Sequence, residues 1–409
     1  MNLCSLEFLL LLLVASAVFP WIANIRLRQS LLAMCNAGLL YSFVPGLSDG
    51  LCLGLFVASG YVIASLLQVH PHRWILGLYV TLLISAFLVL KKYEFLAVLL
   101  PAPVLSHTIG IVGLSYMLFR QIHVAVDALQ GQIKDLSLWT YLNYQLNLFG
   151  LLAGPIQRYQ DFAEDWNRLQ PLAADSYDLL RAYLRIFLGV IKMVVVSNFC
   201  LESYESLSAV FVDDAYRSTG KNVVKFFMLL YLYPTYLYFN FSGYCDIAIG
   251  GAFLFGLRMP ENFHAPFISR NMIEFWSRWH MTLGMWIRDY VFTPLYKTIA
   301  GHWPDRASSL AFLCYFVALF LAGVWHGATW NFVIFGLLNG VGVSAAKLWE
   351  TLLLRRRGRR GVNAYLESRA IRALAVAGTF HFVCLTLFFF PSDLRRSVNI
   401  LTNFVTRFG

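Results

Sequence analysis

The chain has 409 residues, 59% of them hydrophobic and only 13% charged, and its mean hydropathy is +0.62. A soluble domain is nearer half apolar and a quarter charged. The excess excludes a soluble globular fold, a disordered chain, a coiled coil and a secreted disulfide scaffold, so lipid must solvate part of the surface. The net charge of +10, from 32 Lys and Arg against 22 Asp and Glu, would suggest nucleic acid in a soluble protein; in a membrane chain it belongs to cytoplasmic loops, which accumulate Lys and Arg.

In chain order, residues 1–20 hold an apolar core from Phe8 to Phe19, and Ala15-Ser16-Ala17 has the look of a signal-peptidase site. No Lys or Arg precedes the core, whereas Arg26 and Arg28 follow it. That order is reversed for a cleaved signal and predicts a retained first membrane helix with its N-terminus outside. Runs long enough to span a bilayer fall at about 5–24, 31–48, 51–69, 74–91, 95–119, 180–200, 223–241, 308–325, 328–349 and 370–391. Two further apolar stretches are interrupted: 138–155, with Gly150, Gly154 and Pro155, and the glycine-rich 244–257. Non-helical backbone at membrane depth is tolerated only against protein or a water-filled cavity, so both are predicted to be re-entrant or broken helices lining a site.

Residues 157–178 are polar and charged and are expected in water or at the interface. Residues 261–300 mix Glu274, Arg278, Arg288 and Asp289 with Trp276, Trp279, Trp286 and Tyr290, which predicts an interfacial or partly buried helix pair rather than a simple span. The run Arg355-Arg356-Arg357-Gly358-Arg359-Arg360 directly follows an apolar stretch and reads as a cytoplasmic anchoring loop, with docking of an acidic partner as the alternative. No repeat or low-complexity linker divides the chain, so 1–409 is expected to be one membrane domain. The seven cysteines are widely spaced, without a CxxC pair, and read as small apolar helix residues rather than a disulfide frame or zinc site.

A titratable group at bilayer depth is costly and marks function by default. His326 sits in Gly323-Val324-Trp325-His326-Gly327 between apolar runs. Its glycines allow close approach by a substrate or another backbone, and an imidazole there can act as general base on a hydroxyl. The competing reading is a buried histidine bonded to a backbone carbonyl. Helical spacing places His280 on an apolar stripe with Ile273, Trp276, Leu283 and Ile287, where a lone histidine is more often structural. Asp246, in Phe241-Ser242-Gly243-Tyr244-Cys245-Asp246, needs an Arg or His partner; a structural salt bridge competes with orientation of a catalytic histidine. Arg288 and Asp289 form a second candidate pair, and His107, His123 and His381 read mainly as packing or interface residues. Neither GxxxxGK[ST], HExxH nor GxSxG occurs. Direct histidine-assisted transfer therefore suits the chain better than a covalent serine intermediate.

An ordered series of motifs carries a family resemblance. It comprises Leu114-Ser115-Tyr116-Met117-Leu118-Phe119-Arg120, Ala153-Gly154-Pro155-Ile156-Gln157-Arg158, Phe241-Ser242-Gly243-Tyr244, Pro260-Glu261-Asn262-Phe263, Pro266-Phe267-Ile268-Ser269-Arg270, Glu274-Phe275-Trp276-Ser277-Arg278-Trp279-His280, Arg288-Asp289-Tyr290 and Gly323-Val324-Trp325-His326-Gly327. Over about 113–348 the chain resembles membrane-bound O-acyltransferases (MBOAT), in the bacterial branch of alginate O-acetylases and teichoic-acid D-alanyl transferases. The resemblance implies an all-α polytopic membrane fold of about eleven transmembrane helices, with re-entrant or interfacial pieces around a central funnel, in the bacterial inner membrane. It implies that His326 is the catalytic histidine and His280 the second one. Asp246, Asn262, Trp279, Arg288, Trp325, Tyr244 and Ser242 are then expected to bind substrate or support the pocket.

By the same resemblance no metal or bound cofactor is needed. A thioester donor, either an acyl carrier protein or acyl-CoA, arrives from the cytoplasm, and the acceptor is a hydroxyl of an envelope or exported polymer, or an accessory acyltransferase outside. Features of both sub-branches are present, which leaves the acyl group open between acetyl and D-alanyl. Two other function classes compete: a transporter or flippase, suggested by broken helices and Asp246, and a non-catalytic subunit of a polymer-export complex.

Overall fold

Apolar runs in lipid become helices because only a helix satisfies all its backbone hydrogen bonds within one segment. The computed structural model describes residues 6–44, 46–91, 93–94, 113–171, 175–212, 221–391 and 394–408, and among these it is helical, without strands. The helices are α1 (Leu6–Val18), α2 (Ile25–Tyr41), α3 (Leu47–Val69), α4 (Arg73–Leu90), α5 (Leu114–Leu129), α6 (Leu138–Gln145), α7 (Tyr159–Arg168), α8 (Ser176–Val190) and α9 (Asn198–Val212). They continue as α10 (Lys221–Leu254), α11 (Met272–Trp276), α12 (Met281–Ile287), α13 (Thr293–His302), α14 (Ala307–His326), α15 (Trp330–Glu367), α16 (Arg369–Phe388) and α17 (Leu394–Phe408). Single π-turns at Ile191–Ser197 and Arg288–Phe292 join α8 to α9 and α12 to α13.

Five helical stretches among the described residues are long and apolar enough to cross a bilayer: Leu47–Val69, Arg73–Leu90, Ser176–Phe211, Trp330–Glu367 and Arg369–Phe388. Glu7–Trp21 and Leu310–His326 are shorter apolar helices. The chain is a polytopic all-helical membrane protein. Of the run expected at 95–119, residues 95–112 lie outside the described residues, as does His107.

Several expectations are corrected. The stretch 244–257 is not re-entrant: through Leu254 it continues α10 without a break, with Gly250 packed against α8 and Gly251 against Leu12 of α1, and only Gly256, at φ 79°, turns the backbone past the helix end. The stretch 138–155 is broken, with α6 ending at Gln145 and irregular backbone following. Within 157–178, α7 is amphipathic and buries Tyr159, Phe162, Asp165 and Trp166 on one face. The arginines of 355–360 lie on α15, which kinks at Gly358 (φ 60°, ψ 178°), and not in a loop.

The chain forms two compact units: 1–90, 100–195 and 240–261 make one, and 91–99, 196–239 and 262–409 the other. In the first, the buried Arg120 guanidinium donates to the carbonyls of Tyr144 and Gln145, both at 2.8 Å, satisfying acceptors that the end of α6 leaves open. In the second, α14 and α15 form an antiparallel hairpin. A Cβ at Gly323 would lie 2.2 Å from the Gly336 Cα, so glycine is required where the two backbones meet.

Candidate active site

The second unit builds its site from a short paired segment. Phe263 and Trp279 form an antiparallel bridge. The His264 amide donates to the Arg278 carbonyl (2.9 Å) and the Met281 amide to the Asn262 carbonyl (3.0 Å). This pairing stops α11 and starts α12 on a new axis, with His280 between them at φ 47°, ψ 50°. A left-handed conformation is strained for a residue with a Cβ, so tertiary pairing holds His280 there. The expected single stripe through Ile273, Trp276, His280, Leu283 and Ile287 is therefore not one helix face.

His280 is fully buried, and its Nδ1 lies 3.2 Å from Asn262 Oδ1. The same oxygen accepts from the Thr282 amide (3.1 Å) and hydroxyl (3.0 Å). An amide N–H can only donate, so the Asn262 atom facing Thr282 is the oxygen, and His280 Nδ1 must carry its proton toward it. Nε2 is then the acceptor nitrogen of the ring. Burial, with the His326 imidazole adding to it, holds His280 well below the usual histidine range. The ring is neutral at pH 7.

His326 ends α14. Its ring packs against Phe390 (centroids 5.1 Å apart), Phe335 (5.9 Å) and Trp325 (4.8 Å). The Trp325 ring is also 6.4 Å from that of His280, so the two imidazoles neighbour one indole. Gly327 admits the Phe332 ring, which a Cβ would meet at 2.0 Å. The glycines around His326 thus serve protein packing rather than direct approach of a substrate.

The second unit also holds an apolar cavity of about 430 Å3, which neither histidine lines; Met281, the residue after His280, is in its wall. Its walls include Trp276, Leu283, Ile287, Phe292, Tyr315 and Ala322, and Ser277 and Arg288 supply polar atoms. A polar recess of about 400 Å3 shares Ile273 and Ser277 with it and is lined by Arg270, Asn271, Glu274, Arg278 and Glu350. Glu274 is held by Arg270 (2.9 Å) and Arg278 (2.8 Å). The Glu274 amide donates to Asn271 Oδ1, which caps the start of α11, and the Arg270 amide donates to Glu274 Oε2. Burial raises the Glu274 carboxyl, but the Arg270 and Arg278 contacts outweigh it and leave the group below its ordinary value.

A fully buried imidazole with an assigned acceptor nitrogen and a half-buried one, both against the Trp325 indole, can move a proton to and from an uncharged substrate. The membrane-bound O-acyltransferase family model matches residues 66–357. The chain belongs to this family. It is an O-acyltransferase by that membership. A teichoic acid D-alanyltransferase of Bacillus subtilis is 29% identical over 302 residues, covering 73% of this chain and 73% of that protein. One from Streptococcus thermophilus is 28% identical over 335 residues, 80% of this chain and 77% of its own. A probable alginate O-acetylase of Pseudomonas fluorescens is 28% identical over 341 residues, 83% of this chain and 60% of that one.

Within this O-acyltransferase the other expected site residues divide between the two units. His280, Asn262, Trp279, Arg288, Trp325 and His326 fall in the second, and Ser242, Tyr244 and Asp246 in the first. Trp279 is a packing residue, stacked on Phe275 (5.6 Å) and edge-on to Phe263 (5.1 Å). Arg288 is paired with Asp289 at 2.7 Å, and its exposed side chain contributes to the cavity wall. Asp246 is bonded to Arg185 (3.0 Å) and Lys192 (2.6 Å), and Arg185 also pairs with Glu261 (2.6 Å). Tyr244 Oη accepts from the Ala153 amide at 3.3 Å. The Ser242 hydroxyl is buried without a hydrogen bond among the described residues.

Sequence reasoning did not single out Thr282, Lys192 or Arg185. Arg185 and Lys192 are seven residues apart, about two helical turns, a spacing that places both on one face and was the available signal.

Proposed function

We propose that this O-acyltransferase moves a small acyl group, D-alanyl or acetyl, from a cytoplasmic thioester to a hydroxyl of an envelope or exported polymer, or of its carrier, in the bacterial inner membrane. The observation that carries the reading is the pair His280 and His326, both neighbouring Trp325. His326 takes the proton of the acceptor hydroxyl as its oxygen attacks the thioester carbonyl carbon. A C–O bond forms, the C–S bond breaks, and the imidazolium returns the proton to the departing thiolate. His280, with Nδ1–H fixed by Asn262, presents Nε2 to the reacting groups. Its neutrality keeps the site free of a buried charge that would need a counter-ion.

The apolar cavity lined by Met281, Leu283 and Ala322 suits the slender thioester arm of an acyl carrier or of CoA. The arginines of the adjoining recess and those of 355–360 suit the acidic surface of a carrier. The chain needs no metal for this chemistry: the donor is already activated as a thioester and the base is an imidazole.

The test is mass spectrometry of ester-linked groups on envelope and exported polymers from wild type, a deletion strain, and the deletion carrying His326→Ala. Loss of one ester in both mutants supports transfer and names the acyl group. Unchanged esters in both would overturn it, and full rescue by His326→Ala would leave a scaffold role.

A further inference from the structure

The turn that carries His326 lies between two helix ends, the end of α14 and the start of α15. α14 stops at His326, so the carbonyls of Val324 and Trp325 fall in its last turn. At the start of α15, the Thr329 side chain makes no capping bond. Both ends are capped by residues more than 230 positions earlier. Tyr93 Oη donates to the Val324 carbonyl (3.1 Å) and Lys91 Nζ to the Trp325 carbonyl (3.2 Å). The Glu94 amide donates to the Ala328 carbonyl (2.9 Å), and Glu94 Oε2 accepts from the Trp330 amide (3.0 Å).

The signs fit as well as the distances. The helix C-terminus carries partial negative charge and meets an ammonium; the helix N-terminus carries partial positive charge and meets a carboxylate. One short segment therefore closes four backbone contacts across the 324–330 turn. It does so with opposite charges matched to opposite helix ends. Loop packing without a positioning role needs neither the matched signs nor contacts on both sides of one histidine.

We propose that Lys91, Tyr93 and Glu94 are positioning residues for acyl transfer: they clamp the turn on both sides of His326 and hold its imidazole where the acceptor hydroxyl must approach. The proposal rests on the reading of His326 as the base. A displacement of about 1 Å in such a group costs on the order of 100-fold in rate. None of the three needs to touch substrate.

The experiment expresses full-length Lys91→Met, Lys91→Arg, Tyr93→Phe, Glu94→Ala and His326→Ala chains in the deletion strain. It reads the labelling rate of the ester identified above per folded molecule, counted from the monodisperse detergent-extracted peak. Amide hydrogen exchange of residues 323–330 is measured on the same samples. Lys91→Met, Tyr93→Phe and Glu94→Ala are expected to slow labelling about 10- to 100-fold per folded molecule and to speed exchange in that peptide, while Lys91→Arg restores most of both. Wild-type rates per folded molecule with unchanged exchange would overturn the clamp. So would a loss confined to folded yield, which marks a purely structural strap. If His326→Ala retains labelling, the base assignment falls instead, and the exchange data still decide whether the segment holds the turn.

Discussion

Asp246 and His280 are both ionisable groups set among apolar helices, one in each compact unit, and their neighbours differ in kind. Asp246 is met by two cations, and Arg185 carries a second carboxylate in turn. That cluster of two anions and two cations is internally neutral, and every charge has a partner at hydrogen-bond distance. His280 is met by an uncharged amide, and a second imidazole, His326, acts on it electrostatically. Charge satisfied by charge is held in one geometry and one protonation state. A neutral imidazole with a fixed tautomer keeps a lone pair for use. The same cost of burying polar groups is thus met by pairing in one unit and by staying uncharged in the other, and the proposed proton transfer is assigned to the second.

The sharpest way to break this comparison is to remove the imidazoles. His326→Ala is expected to lower ester formation by at least about 100-fold and His280→Ala by about 10- to 100-fold, each with folded yield near wild type. Initial rates of ester labelling per folded molecule check both. If His280→Ala has the smaller effect on rate than on folded yield, His280 belongs with Asp246 as a structural group.

Asn262→Ala comes next. It removes the acceptor that fixes the His280 tautomer and also the partner of the Thr282 amide and hydroxyl. Outer partners of this kind are worth about 10-fold or more in activity. Asn262→Asp, which keeps the acceptor oxygen, is expected to recover more of the rate than Asn262→Ala; equal rates would remove Asn262 from the site.

Asp246→Asn tests the other side. It leaves Arg185 and Lys192 facing an uncharged group. The side chains are 16% exposed for Asp246 and 31% for each cation, so the expected cost lies between that of exposed and buried pairs, about 1–3 kcal/mol. Thermal unfolding in detergent reads it, and the melting temperature should fall more than the rate per folded molecule does. A collapse in rate at unchanged melting temperature would move Asp246 into the chemistry.

The smallest effect is expected at Glu274. Its folded value is depressed, so it contributes stability that is fully present above its unfolded value and is lost as pH falls through the folded one. Glu274→Gln should lower the melting temperature at neutral pH, and the gap from wild type should close as the pH drops below the ordinary carboxylate range. A gap independent of pH would show that the Arg270 and Arg278 contacts add no charge-dependent stability.

Much of the site was legible along the chain because its cues are local. The Trp-rich, charged stretch 261–300 was read as a partly buried helix pair, and α11 and α12 fall within it. His326 stood out because a titratable ring between apolar runs is conspicuous at any register. Asp246 predicted a basic partner, but not which of 32 basic residues would supply it.

Other features depended on distant contacts. Helical periodicity carried the His280 stripe through a point where pairing with residues 262–264 bends the backbone to positive φ. Glycines at 244–257 read as a break because a local pattern cannot show a neighbouring helix pressed against them.

The sequence by itself determined that this chain lives in lipid, is helical, belongs among O-acyltransferases and carries two conspicuous histidines, since composition, apolar run length and ordered motifs are properties of short stretches. Only the tertiary structure decided that Asn262 orients His280, that one indole neighbours both imidazoles, and that Lys91, Tyr93 and Glu94 cap the turn of His326. Those contacts join residues up to 236 positions apart. Their geometry follows from how helices pack, which no local spacing encodes.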